Sequence, residues 1–101
     1  MIVSVIYHLA AGQKFDLDYY VKSHVPLVDS LLGPCGLKRA QFLHGTGAPS
    51  GAPAAKLIAL LEFDSLAEFA AGMEQNGAKL MGDIANFTDA QPSIQFNEQL
   101  T

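Results

Sequence analysis

Three histidines, ten acidic residues and a single cysteine are the side chains here best suited to acid–base or nucleophilic work. His24 stands out by its setting. It lies in "YYVKSHVPLV", residues 19–28, where apolar residues recur at helical spacing and continue through Leu31 and Leu32. A histidine on an apolar stripe needs a hydrogen-bond partner. Two residues later comes Pro26, and a proline costs a helix interior about 3 kcal/mol. Pro26 has no N–H to offer the Lys22 carbonyl, so a local distortion is expected that turns the imidazole away from the regular stripe. An imidazole so placed can act as general acid or base, or orient a polar substrate. The competing account is structural, with the ring bonded across the fold to a backbone carbonyl or a carboxylate.

Asp83, Asn86, Thr88 and Asp89 cluster before the last strand. If that loop folds over the first helix, Asp83 can orient His24 and the two form an acid–base pair. The same residue types also simply end helices and make turns. His8, at the end of the first strand, becomes a substrate-binding candidate if its face of the sheet lines a pocket. Otherwise it is a strand-end residue in solvent. Tyr19 lies off the main helical stripe and is free to meet a ligand. Phe87 is one of several aromatics able to line an apolar pocket or to serve as ordinary core. His44 begins a Gly-rich loop and reads as surface.

Other chemistries lack their signatures. The three histidines are far apart, and no Cys or carboxylate falls at metal-ligand spacing. "GTGAPSGAP", residues 45–53, lacks the Lys-Ser/Thr and following helix of a phosphate loop. There is no dinucleotide fingerprint and no serine elbow. Cys35, without a companion, reads as a small buried residue. No organic cofactor and no metal is implied.

The elements that must position these residues follow from patterning. Residues 2–9 read as a central strand with two largely apolar faces. Asp16 is a plausible N-cap for a helix running to about Leu32, with Leu17, Tyr20, Val21, His24, Val28, Leu31 and Leu32 on one face. Gly33-Pro34 stops it. Residues 36–44 and 55–63 read as a hairpin with a long tip. Asp64 or Ser65 caps a second helix that Asn76-Gly77 interrupts, so that 78–84 forms a short further helix. Residues 85–92 are loop, and "SIQFNEQL" alternates as a last strand. The order strand, helix, strand, strand, helix, strand is the ferredoxin-like split βαβ motif: an α+β, four-stranded antiparallel sheet with helices on one face. Ile2, Ile6, Ile58, Leu60, Ile94 and Phe96 are too many apolar residues for a sheet left wet. A second sheet from a symmetric partner is expected to cover it, making a homodimer that encloses a dimeric α/β barrel, with His24 toward its mouth.

Bulk properties set limits. The chain of 101 residues suits one domain, 1–101, with no repeat or internal boundary. Half of it is hydrophobic and 16% is charged, which is apolar for so small a domain. Net charge is −4 and the six Lys and Arg are scattered, which argues against nucleic acid and anionic membrane surfaces. No run approaches a membrane span, the N-terminus lacks the parts of a signal peptide, and one cysteine gives no sign of an oxidising compartment. A cytoplasmic location is expected.

Two segments, "FDLDYYVKSHVPLVDSLLGP" (15–34) and "LMGDIANFTDAQPSIQFNE" (80–98), resemble the EthD family, named for ethyl tert-butyl ether degradation. "ALLEFDSLAEFAAGM" (59–73) is similar to its third strand and second helix. The resemblance implies small dimeric α/β-barrel proteins, often labelled oxidoreductases by association with a haem monooxygenase pathway. It implies an association with oxidative breakdown of xenobiotic or other apolar organic compounds, with a small apolar organic molecule as ligand. A non-catalytic ligand-binding or accessory protein of a monooxygenase system is an alternative. So is a cofactor-free oxygenase, dehydratase or isomerase of polyketide-like substrates. Fold alone does not choose among these.

Overall fold

The computed structural model describes residues 1–101. Its strands are β1 (Ile2–Tyr7), β2 (Arg39–His44), β3 (Leu57–Glu62) and β4 (Ser93–Asn97). They form one sheet in the order β2-β3-β1-β4 with every neighbouring pair antiparallel. The helical parts are α1 (Leu17–Tyr19), a π-helical segment (Tyr20–His24), α2 (Val25–Leu32), a 3₁₀ turn (Gly33–Cys35) and α3 (Leu66–Ile84). The split βαβ order and the four-stranded antiparallel sheet expected from patterning are both present.

One face of the sheet is covered by helices. Val3 of β1 and Leu61 of β3 pack against Val28 and Leu32 of α2 and Phe69 and Leu80 of α3. A second, aromatic cluster joins Tyr7, Tyr20, Leu57 and Phe87 at the other end. Removing a side chain such as Leu32 from so dry a site costs about 2–5 kcal/mol. On the opposite face Ile2, Ile6, Ile58 and Leu60 are half-buried and no helix lies over them. Ile94 and Phe96 depart from the expectation that they join this open face. Their partners across the ladder are Val5 and Val3, so they lie on the helix side. Phe96 nonetheless stays 54% exposed, because β4 is an edge strand. Its ring meets α3 at Phe69, 5.8 Å between centroids.

The first helical stretch begins where expected, with the Asp16 carboxylate accepting from the Tyr19 N–H at 3.1 Å. Tyr20, His24, Val28 and Leu32 form its buried row, each four residues after the last. Val21, expected on that row, is 61% exposed. The stretch ends in the 3₁₀ turn and at Gly36, whose φ of 106° suits a residue without Cβ.

Ser65 caps α3, accepting from the Glu68 N–H at 3.3 Å, while Glu68 accepts from the Asp64 N–H. The expected interruption at Asn76-Gly77 does not occur, and α3 runs unbroken through both residues. The Asn76 amide explains why. It donates to the Leu31 carbonyl of α2 and to the Gly72 carbonyl, each at 3.2 Å. It thus fastens α3 to α2 instead of competing for the local backbone. Gly72 permits the close approach: a Cβ there would sit 3.1 Å from the Cys35 Cβ. No helix is long and apolar enough to cross a membrane.

Candidate functional site

The distortion expected beside Pro26 is the π-helical segment. Pro26 stands in the first turn of α2, where a missing N–H is harmless. The turn before it widens, and the Val25 N–H bonds the Tyr20 carbonyl five residues back. The extra residue in that turn sets where His24 points. The residue is 6% exposed, its ring stacked on Tyr20 at 5.2 Å and tilted against Phe87 at 4.7 Å.

The last turn of α3 supplies its partner. His24 Nδ1–H donates to Asp83 Oδ2 at 2.9 Å. The other carboxylate oxygen, Oδ1, accepts from the Tyr19 hydroxyl at 2.5 Å and from the Asn86 amide at 3.0 Å. Burial by itself would raise the Asp83 carboxyl. The bonds from Tyr19, Asn86 and His24 outweigh it and hold the carboxyl below its ordinary value. Tyr19, bonded to that carboxylate, has its phenol raised. Asp83 is ionised and fully satisfied, and its side chain is 13% exposed.

The loop after α3 is pinned over the start of the first helix. The Asp16 N–H donates to the Phe87 carbonyl at 2.7 Å and the Thr88 hydroxyl donates to the Lys14 carbonyl at 2.5 Å. Asp89 accepts from the Lys14 N–H at 3.1 Å. Thr88 and Asp89 therefore serve the loop. From that cluster only Asp83 and Asn86 reach the histidine network.

His24 also lines a cavity of about 50 Å³ between the helices and the sheet. Val5 and Leu61 come from the sheet, Met73 and Met81 from α3, and Ile94 from β4. His24 Nε2 makes no hydrogen bond within the protein, and no sealed polar side-chain atom is left without a partner, so Nε2 keeps an accessible surface. With Nδ1 committed to Asp83, Nε2 is the nitrogen free to take or give a proton. This cavity lies on the helix side of the sheet. The mouth of a barrel enclosed between two sheets, where the sequence reading turned His24, is on the other side. Three larger depressions, of about 530, 550 and 260 Å³, are open grooves on the outer surface, and none is lined by His24 or Asp83.

The residues singled out from sequence thus divide. His24, Asp83 and Tyr19 form one hydrogen-bonded chain. Phe87 is buried against the His24 ring and does not line the cavity. His8 is exposed, beyond the end of β1, with Nδ1–H donating to the Ala54 carbonyl at 2.8 Å. His44 lies in an outer groove. Sequence reasoning passed over Tyr7, Met73, Met81 and Ile94 as cavity walls. Tyr7 alternates in register with Val3 and Val5, which was the available signal for the helix side.

The EthD domain model matches residues 12–91. No curated protein matches the chain. Among solved structures, an EthD-like protein from Ralstonia eutropha JMP134 superposes with a TM-score of 0.90 at 33% identity, over 99% of this chain and 91% of that one. An ethyl tert-butyl ether (EthD) family protein from Bacillus halodurans C-125 superposes with a TM-score of 0.62 at 17% identity, over 97% of this chain and 100% of that one, a likeness of fold. The family model spans both the His24 helix and the Asp83 turn, and the chain belongs to the EthD family.

Proposed function

We propose that the protein takes a small apolar organic molecule into the cavity between helices and sheet, and that His24 moves a proton on it. The observation that carries this reading is the chain Tyr19–Asp83–His24, which ends at an unpartnered Nε2 in a largely apolar wall. Asp83 fixes the tautomer by accepting from Nδ1–H, and its charge faces the imidazolium that forms when Nε2 accepts a proton. The apolar walls exclude water from the transfer. Membership of the EthD family, named for ethyl tert-butyl ether degradation, supports a ligand from the breakdown of xenobiotic or similar apolar compounds.

The homodimer belongs to the same proposal. Ile2, Ile6, Ile58 and Leu60 on the open face gain a dry environment if a second sheet packs on them. Light scattering at micromolar concentration is expected to give twice the monomer mass, and a monomer would refute it.

The test of the chemistry is His24→Gln. The variant should keep the melting temperature within a few degrees and lose about 10²–10⁴-fold in turnover of whichever apolar substrate the wild type converts. Undiminished turnover would remove His24 from the chemistry. Small apolar molecules that raise the melting temperature while no substrate class is turned over would favour a binding or accessory protein.

A further inference from the structure

Of the residues that line the cavity, only His24 and Tyr7 carry a side-chain nitrogen or oxygen. Tyr7 is 2% exposed, and its ring is held by Phe15, Tyr20 and Phe87 at centroid distances of 5.4 to 6.3 Å. Its hydroxyl bonds to nothing in the protein, and no sealed polar side-chain atom lacks a partner, so the hydroxyl too keeps an accessible surface. A buried phenol without a partner forfeits a hydrogen bond that water would have supplied. Tyr7 and His24 line the same cavity, and both rings pack on Phe87, at 5.7 and 4.7 Å between centroids.

We infer that Tyr7 is the group that reads the ligand, donating its hydroxyl hydrogen to one oxygen acceptor on an otherwise hydrocarbon molecule, best met by a carbonyl. This rests on the cavity being the binding site. Burial, with the Asp83 charge nearby, holds the phenol well above its usual value, so it stays a donor. A donor on the oxygen and a base lining the same cavity suit proton removal beside a carbonyl, where charge develops on oxygen. The size agrees with a small group. The cavity's roughly 50 Å³ is about a third of the ~150 Å³ apolar cavity that holds benzene. It admits a few heavy atoms unless the flexible Met73 and Met81 give way. Tyr7 is thus a specificity-determining residue.

The test uses a matched pair of probes, 2-butanone and 2-methylbut-1-ene, which differ by C=O against C=CH₂. Binding is followed by the methyl resonances of Met73 and Met81 in the full chain. The wild type is expected to bind the ketone about fivefold more tightly than the alkene. Tyr7→Phe should erase that preference by weakening the ketone alone. Equal affinities in the wild type, or a preference that survives in Tyr7→Phe, would overturn the role of Tyr7 and leave the cavity reading standing. Failure of both probes to move either methyl would overturn the two together. If Tyr7→Phe does not fold, ¹³Cζ-tyrosine in the wild type decides: the Tyr7 signal must shift with the ketone and not with the alkene.

Discussion

The first helical stretch and α3 each contain residues that disfavour helix, and the chain handles the two differently. At Pro26 the backbone gives way: the turn from Tyr20 to His24 widens into a π-helix. At Asn76-Gly77 the backbone does not yield, and α3 stays regular. Proline acts through the backbone, by a missing donor and a ring that clashes with the preceding turn, and no side-chain contact can restore that donor. Asparagine acts through a side chain that seeks a carbonyl. The Leu31 carbonyl satisfies it from another helix. A breaker of the first kind reshapes the chain and here sets where His24 points. A breaker of the second kind becomes a tertiary tie.

Five substitutions at four positions sharpen or break this contrast. The largest effect is expected from Asp83→Ala, which strands the His24, Tyr19 and Asn86 donors around the distorted turn. It should cost about 2–3 kcal/mol in chemical denaturation. Because the Asp83 carboxyl is held below its ordinary 3.8 in the fold, its contribution is present above that value and is lost as pH falls through the lower folded value. Asp83→Asn should therefore flatten the acid limb of stability relative to wild type. An acid limb identical in the two proteins would show that the network does not hold this turn.

Next is Pro26→Ala, which returns a donor to the Lys22 carbonyl and removes the ring. Stability should move by no more than about 1–2 kcal/mol. The turn should relax toward α-helix and rotate His24, seen as loss of the hydrogen-bonded Nδ1–H proton resonance. Retention of that resonance would mean that tertiary packing, and not proline, dictates the π-turn. Asn76→Ala should cost about 1 kcal/mol through the lost bond to Leu31, with helicity by circular dichroism unchanged. A fall in helicity would refute the reading of Asn76 as a tie. Smallest is Gly77→Ala, whose Cβ would meet only the Met73 side chain at ordinary contact distance, 3.6 Å. It should stabilise by roughly 0.5–1 kcal/mol, and a destabilised variant would show that α3 needs the glycine.

Much of the fold was legible because it depends on local patterning. Alternation in β1 and β4, the apolar run of β3, the Asp16 and Ser65 caps and the stop after Leu32 are all short-range signals. The same reading placed His24 on a buried row and noticed that Pro26 must disturb it. It also offered Asp83 as a partner on the condition that the loop fold back. What it could not supply was which of the two histidines near the sheet meets a cavity. His8 and His24 are both plausible on paper, and only the helix-side packing separates the exposed one from the buried one. Ile94 and Phe96 were misassigned in the same way, since alternation says that two residues share a face but not which face.

The sequence by itself determined the element order, the helix ends and the tension between Pro26 and a regular helix, because each arises from residues within a turn or two of one another. Tertiary structure alone decided the rest. Lys14, Asp16 and the 87–89 loop had to meet before Asp83 could reach His24 across 59 positions. Tyr7 and His24 came to line one cavity only when β1 and the π-turn were packed on the same Phe87. Such contacts join residues distant in the chain, and no local pattern encodes them.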